Sequence, residues 1–228
     1  MSLVLSSHPL PTAAMTIGVT AAAALSGRPA EQCALVAATV LSGQVTIGWL
    51  NDLIDRHRDK QVGREDKPIA MGWIDPSTVT FAIACVVLLV IPLSVSNGTV
   101  AGIAHLIAVA SAWVYNLLLK KTRLSFLPFA VSFGLLPAFL SYGGLGGGLH
   151  GGPPTIAITV AAALFGIGVH FLNALPDLVQ DNETGVRHLP LRIALKIGAP
   201  KLLVVSSIYT ALAAAGFVVA ALTVGLVQ

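Results

Sequence analysis

The chain has 228 residues, of which 55% are hydrophobic and only 10% charged, and its mean hydropathy is +0.85. Soluble domains carry about 25% charged residues, so the composition excludes a water-soluble globular domain and points to an integral membrane protein. The basic balance, net +3 with a pI near 9.1, does not point to nucleic acid. The Lys and Arg residues lie in short loops beside apolar runs, where they set topology and meet the anionic lipid of the bilayer.

Seven apolar stretches are long enough for membrane-spanning helices, which need about 20 residues. They cover 10–26, 31–54, 76–95, 99–119, 124–142, 154–175 and 200–226. Ahead of the first, Met1 to Pro9 carries no basic n-region and no small-residue cleavage site, so no cleaved signal peptide is expected. The third begins after Asp75-Pro76, a cap followed by proline at the first helical position. The fifth holds Pro128 and Pro137, which predict a kink. Gly143 to Pro154 is rich in glycine and proline and reads as a loop. Cys33 and Cys85 lie inside apolar runs and read as packing residues. The predicted fold is all-α: one polytopic helix bundle, a single domain over 1–228.

The basic residues orient this bundle. Twelve of the thirteen Lys and Arg residues fall in the loops after spans two, four and six, and Arg28 alone lies on the other side. By the positive-inside rule those three loops are cytoplasmic, and so is the N-terminus.

Ten residues are acidic, and five of them sit in two short segments at the ends of spans two and six, both on that same side. The first runs Asn51-Asp52-Leu53-Ile54-Asp55-Arg56-His57-Arg58-Asp59. The second runs Asn173-Ala174-Leu175-Pro176-Asp177-Leu178-Val179-Gln180-Asp181. Asp52, Asp55 and Asp59 are spaced i, i+3, i+7, and Asp177 and Asp181 i, i+4, so each set shares one helical face. Carboxylates beside hydrocarbon are costly and mark a task. They repel one another unless a cation neutralises them. Mg²⁺, which takes one or two carboxylates together with phosphate oxygens and water, suits two such faces opposite each other. Read as a helix, span six carries His170, Asn173, Asp177 and Asp181 as one polar stripe, and Gln44 and Asn51 form a shorter one on span two. Interhelical hydrogen bonding would explain Gln44, His170 and Asn173 equally well. Arg64, Lys67 and Lys120 are placed to grip a diphosphate as its carbon–oxygen bond breaks.

Four segments carry a resemblance to a known family. Asn51-Asp52-x-x-Asp55-x-x-x-Asp59 is followed by Lys67-Pro68-Ile69-Ala70-x-Gly72-x-Ile74. Tyr115-Asn116-x-x-Leu119-Lys120-Lys121-Thr122 comes next, and Pro176-Asp177-x-x-x-Asp181-x-x-x-Gly185 last. In this order they resemble the UbiA superfamily of intramembrane prenyltransferases. The resemblance implies a helix bundle with a central cavity open to lipid. It implies Mg²⁺ held by Asp52, Asp55, Asp59, Asp177 and Asp181 against a prenyl diphosphate, with catalysis at Asp52, Asp55, Asp177 and Asp181. Asn51, Arg64, Lys67, Tyr115, Asn116, Lys120, His170 and Asn173 would then serve substrate binding. The reaction implied is ionisation of an allylic prenyl diphosphate and transfer of the prenyl group to an aromatic or lipophilic acceptor. Two departures stand out. Ala174 occupies the place of the first aspartate of the family's second motif, and seven spans are fewer than the family's nine.

Those departures keep a second chemistry open, a terpene cyclase of the same superfamily in which the cation is quenched internally. A phosphoribosyl transferase acting on a polyprenyl phosphate would want a more polar acceptor site than Gln44, Asn116 and Asn173 offer. A cation transporter would place its carboxylates near the membrane midplane rather than at one interface. The apolar cavity lining could include Phe126, Phe129, Phe133, Phe139 and Phe165, which could equally face lipid.

Overall fold

The computed structural model describes residues 1–144 and 152–223, and every regular element among them is helical. Most of the stretch read as a loop between Gly143 and Pro154, and the last residues of the seventh predicted span, fall outside the described residues. In chain order the helices are α1 (Ser2–Ser6), α2 (Pro9–Leu25), α3 (Ala30–Gln61), α4 (Pro76–Ser96) and α5 (Thr99–Val114). Then come α6 (Leu127–Gly134), α7 (Leu136–Ser141), α8 (Ile156–Ala174), α9 (Leu178–Glu183), α10 (Leu189–Ile197) and α11 (Ala199–Thr223). Five helices are long and apolar enough to cross a membrane: α3, α4, α5 with its extension to Leu119, α8 and α11. Pro9–Leu25 and Leu127–Ser141 are shorter apolar helices. The seven predicted spans are thus present as five full-length helices and two shorter ones.

Local chemistry sets several boundaries. Asp75 caps α4 as expected, its carboxylate accepting from the Ser77 N–H at 2.7 Å. The fifth predicted span, found as Leu127–Ser141, is interrupted at Leu135, where α6 gives way to α7 as the prolines predict. Pro137 sits in the first turn of α7, where its missing N–H costs nothing, and it stops α6 from continuing. α3 runs past its predicted end at 54 to Gln61. The two extra turns carry Asp55 and Asp59 on the same helix as Asp52.

The helices pack in sequence. α3 lies between α2 and α4, α5 leans on α4 and on α6 and α7, and α8 joins α6 to α11. The usual distribution of polarity is inverted, as a lipid solvent requires. Phe81, Leu88, Leu203, Leu212 and Val219 are exposed, whereas Thr39, Ser94, Asn97 and His105 are buried. The buried groups bond across helices: Asn97 Nδ2 donates to Thr39 Oγ1 at 2.9 Å, and Ser94 Oγ lies 2.8 Å from His105 Nδ1.

One close approach fixes the position of the N-terminus. The α1–α2 turn lies directly on α3 at Gly48, where a Cβ would stand 2.5 Å from the Ser7 carbonyl oxygen. The adjoining Trp49 Nε1 donates to the Leu3 carbonyl at 2.7 Å. This seats the N-terminal turn one helical turn before Asp52. Gly18, by contrast, has nothing within 4 Å. Gly48→Val is expected to cost about 1–3 kcal/mol of stability, the scale of an overpacked site. Gly18→Ala is expected to cost none. Thermal unfolding of both variants in detergent micelles checks this.

Candidate active site

The C-terminal turns of α3 point three carboxylates into the end of the bundle. Asp52, Asp55 and Asp59 are 1%, 5% and 4% exposed. Burial this deep is tolerated only with paired charge, and the pairing is extensive. Lys67 Nζ donates to Asp52 Oδ1 at 2.6 Å. Lys120 Nζ donates to Asp55 Oδ2. Arg58 spans the gap between the two acidic segments: Nη2 donates to Asp55 Oδ2 at 2.9 Å and Nη1 to Asp181 Oδ1 at 2.6 Å. Asp59 Oδ1 lies 3.7 Å from the same guanidinium.

Asp181 is fixed from its other side as well. His188 Nδ1 accepts the Leu191 N–H at 3.0 Å, which puts the ring proton on Nε2, and Nε2 donates to Asp181 Oδ2 at 2.8 Å. Both Asp181 oxygens are therefore occupied. Asp177 is the more open member, with 45% of its side chain exposed. Arg64 Nη1 reaches both Asp177 Oδ1 and Gln180 Oε1 at 3.0 Å. The rest of that guanidinium makes a two-point contact with Asp66, at 2.8 Å through both Nε and Nη2. The Arg64 guanidinium pushes the Asp66 carboxyl down to about 2, and Asp66 holds the Arg64 pKa above its ordinary value.

His8 enters from the seated N-terminal turn. It is the one non-glycine residue with positive φ among the described residues, at φ 53°, a sparsely populated conformation often kept at functional sites. Its Nε2 lies 2.7 Å from Asp52 Oδ1 and 3.0 Å from Lys67 Nζ. A protonated Nε2 satisfies Asp52 and opposes Lys67, and an unprotonated one does the reverse, so this triangle is never fully satisfied.

A π-helical turn, Tyr115–Leu119, ends α5. The Lys120 N–H bonds the Tyr115 carbonyl five residues back at 2.8 Å, and such a turn swings the following side chains round the helix axis. It delivers Lys120 to Asp55 and buries Asn116, whose Oδ1 accepts from Asn51 Nδ2 at 2.9 Å. Beside the charges lies a cavity of about 340 Å³, lined by Leu5, His8, Pro9, Leu10 and Pro11 on one side. Asn51, Asp55, Arg58, Asp59, Arg64, Asp66, Lys67, Lys120 and Asp177 line the other.

Acidic faces from two distant parts of the chain, interleaved with Lys and Arg at one end of a lipid-facing bundle, agree with the sequence pattern of the UbiA prenyltransferase family, which matches residues 11–228. The chain belongs to this family. No curated protein matches it by sequence. Among solved structures, a UbiA homolog from Archaeoglobus fulgidus bound to DMAPP and Mg²⁺ has a similar fold. Its TM-score is 0.76 at 15% identity, over 98% of this chain and 78% of that one. The same homolog bound to GPP and Mg²⁺ gives 0.76 at 16% identity over the same shares. A third structure, bound to Cd²⁺, gives 0.70 at 16% identity, over 96% of this chain and 88% of that one.

Within this UbiA fold, Asp52, Asp55, Asp59, Asp177, Asp181, Arg64, Lys67 and Lys120 come together as the sequence suggests, and Asn51 and Asn116 brace them from behind. The stripe from His170 to Asp181 does not lie on one helix. α8 ends at Ala174, Leu175 to Asp177 form a turn, and Asp181 belongs to α9. Pro176 is the reason: Leu175 keeps helical angles, but proline has no N–H to continue the ladder and its ring clashes with the carbonyl four residues back. Asn173 is exposed, and the structure does not bring it into the charged cluster. His170 is buried, with Nε2 hydrogen-bonded to Ser125 Oγ at 3.0 Å, and that same Oγ accepts the Leu189 N–H at 3.1 Å. It ties α8 to the segments before α6 and α10. Tyr115 meets it edge to face and Phe129 at a tilt, with 5.7 and 4.7 Å between ring centroids. None of the five phenylalanines is exposed; Phe139 is core, and Phe133 meets Phe165 at 5.7 Å.

Arg58, His8 and His188 are not among the site residues expected from the sequence. Arg58 has a signal there, its i+3 spacing from Asp55. His188 and His8 have none, because their contacts depend on the turn after α9 and on the seat at Gly48. The Arg64–Asp66 pair carries a pH consequence. A depressed carboxyl stabilises the pair fully above its ordinary value near 4, and that contribution is lost as pH falls through about 2. Arg64→Gln is expected to return Asp66 to the ordinary range, read by a carboxyl ¹³C chemical-shift titration.

Proposed function

We propose that the chain is a Mg²⁺-dependent intramembrane prenyltransferase that ionises an allylic prenyl diphosphate and passes the prenyl group to an aromatic or lipophilic acceptor. The observation that carries this reading is the meeting of the two aspartate segments across Arg58, at 2.9 and 2.6 Å, at the mouth of a cavity rimmed by Lys and Arg side chains. The DMAPP, GPP and Mg²⁺ held by the Archaeoglobus fulgidus homolog support it.

The donor set fits a hard divalent ion. It consists of carboxylate oxygens, and Asp52 Oδ2 is buried without any hydrogen-bond partner. Among the described residues no three His, Cys, Asp or Glu side chains converge on one point. Mg²⁺ takes one or two carboxylates and completes its shell with phosphate oxygens and water. Its one or two carboxylate ligands would come from Asp52 and Asp59 on α3 or from Asp177 in the turn before α9. The ion would supply charge neutralisation at the diphosphate.

The protein's own groups do the rest. Lys67 and Lys120 each touch one carboxylate and line the cavity, so each can turn its ammonium to a diphosphate oxygen as the carbon–oxygen bond lengthens. His8 remains as a partner for Asp52 when Lys67 leaves it. Tyr115, Phe129 and His170 form an aromatic cluster, and an allylic cation within its reach would be stabilised by the rings' π-faces. The apolar bundle behind the charged end would shield such a cation from water. The charge asymmetry of the loops supports a cytoplasmic site and N-terminus.

Asp55→Asn and Asp177→Asn are each expected to lower Mg²⁺-dependent diphosphate release from geranyl diphosphate by about 100-fold or more, the scale of losing one charge-stabilising group. Undiminished release in both would contradict the reading. Product analysis separates its two chemistries. A prenylated acceptor supports transfer, and a cyclised hydrocarbon or alcohol formed from prenyl diphosphate alone replaces transfer with cyclisation.

A further inference from the structure

We propose that Arg58 is a built-in cation of the site, standing between the two aspartate segments in place of one divalent ion. The inference rests on the metal-dependent reading of the site and concerns how many ions the chain needs. Arg58 is the only basic residue among those described that touches both segments. One end of its guanidinium is on Asp55, the other on Asp181, and Asp59 lies 3.7 Å away. Lys67, Lys120 and Arg64 each reach one segment alone.

The residue is held there. Asp181 Oδ1 faces Arg58, and its Oδ2 is taken by His188, whose ring is fixed in turn by the Leu191 N–H. Asp181 thus offers a metal no free oxygen, while Asp52 Oδ2 does. The second segment is also short of acid. Ala174, three residues before Asp177, is buried and carries no carboxylate. The second segment thus offers two acids, Asp177 and Asp181, and a fixed guanidinium bridges the latter to Asp55. A guanidinium suits the place, because it never deprotonates and its planar fork bonds two carboxylates at once. Lys67 and Lys120 can swing to a diphosphate and leave one carboxylate each. Arg58 cannot leave without taking a partner from two carboxylates at once, each 5% exposed. It acts as a positioning residue, joining α3 to α9 before any ion or substrate arrives.

The test counts bound Mn²⁺ by electron paramagnetic resonance on the full chain in nanodiscs, with and without a non-ionisable geranyl thiodiphosphate. Wild type, Arg58→Lys and Arg58→Gln are compared. Arg58→Lys, which keeps the charge, is expected to bind the wild-type number. Arg58→Gln, which keeps a donor but no charge, is expected to bind one more Mn²⁺ per chain. Equal counts in wild type and Arg58→Gln overturn the proposal. Arg58→Gln that unfolds alone but regains its helical melt on addition of Mn²⁺ supports it, and unfolding that Mn²⁺ does not reverse overturns it. Absence of Mn²⁺ binding in wild type removes the metal-dependent reading itself, a result distinct from equal counts.

Discussion

The constraint behind this structure is the cost of burying carboxylates at the end of an apolar bundle. Each ion taken from water loses several kcal/mol of solvation, and removing one partner of a buried pair costs about 3–5 kcal/mol. Four aspartates here are at most 5% exposed. They exist because Arg58, Lys67 and Lys120 come from three different segments to meet them. The same pairs hold the helices together: Arg58 joins α3 to α9, Lys67 brings the loop after α3 back onto it, and Lys120 brings the end of α5. A site assembled this way is primed for an anionic ligand with its counter-ion, because each ammonium has a second use.

Local backbone devices aim these groups. The π turn at Tyr115–Leu119 redirects Lys120 and Asn116. Pro176 ends α8 and lets α9 turn Asp181 toward Arg58 and His188. Gly48 admits the N-terminal turn closely enough for His8 to reach Asp52. None of these devices adds much stability. Each gives up regularity at a point where the charged cluster needs a side chain aimed off the helix line, and such irregularities gather at functional sites.

The bundle and most of the cluster are legible in the sequence for a physical reason. Hydropathy over about 20 residues is a strong signal, and helical spacing alone puts Asp52, Asp55 and Asp59 on one face. Loop charges then place both acidic segments at one end. What the sequence hides is whatever depends on contacts between distant segments or on a break in a helix. His170 and Asn173 look continuous with Asp177 only while a helix is taken to run through Pro176. In fact His170 bonds Ser125, and Asn173 is exposed. His8 lies 44 residues from Asp52, and only the seat at Gly48 brings it there. Arg58 reads as a topology charge although its spacing from Asp55 makes it a neighbour of the acids.

The most direct test is a structure of the chain with Mg²⁺ and a non-ionisable geranyl thiodiphosphate. The expected result is a diphosphate between α3 and α9, with an ion on Asp52 and with Lys67 and Lys120 turned from Asp52 and Asp55 to its oxygens. A diphosphate bound elsewhere, with the Lys67–Asp52 and Lys120–Asp55 pairs intact, would contradict a joint role for the two aspartate segments.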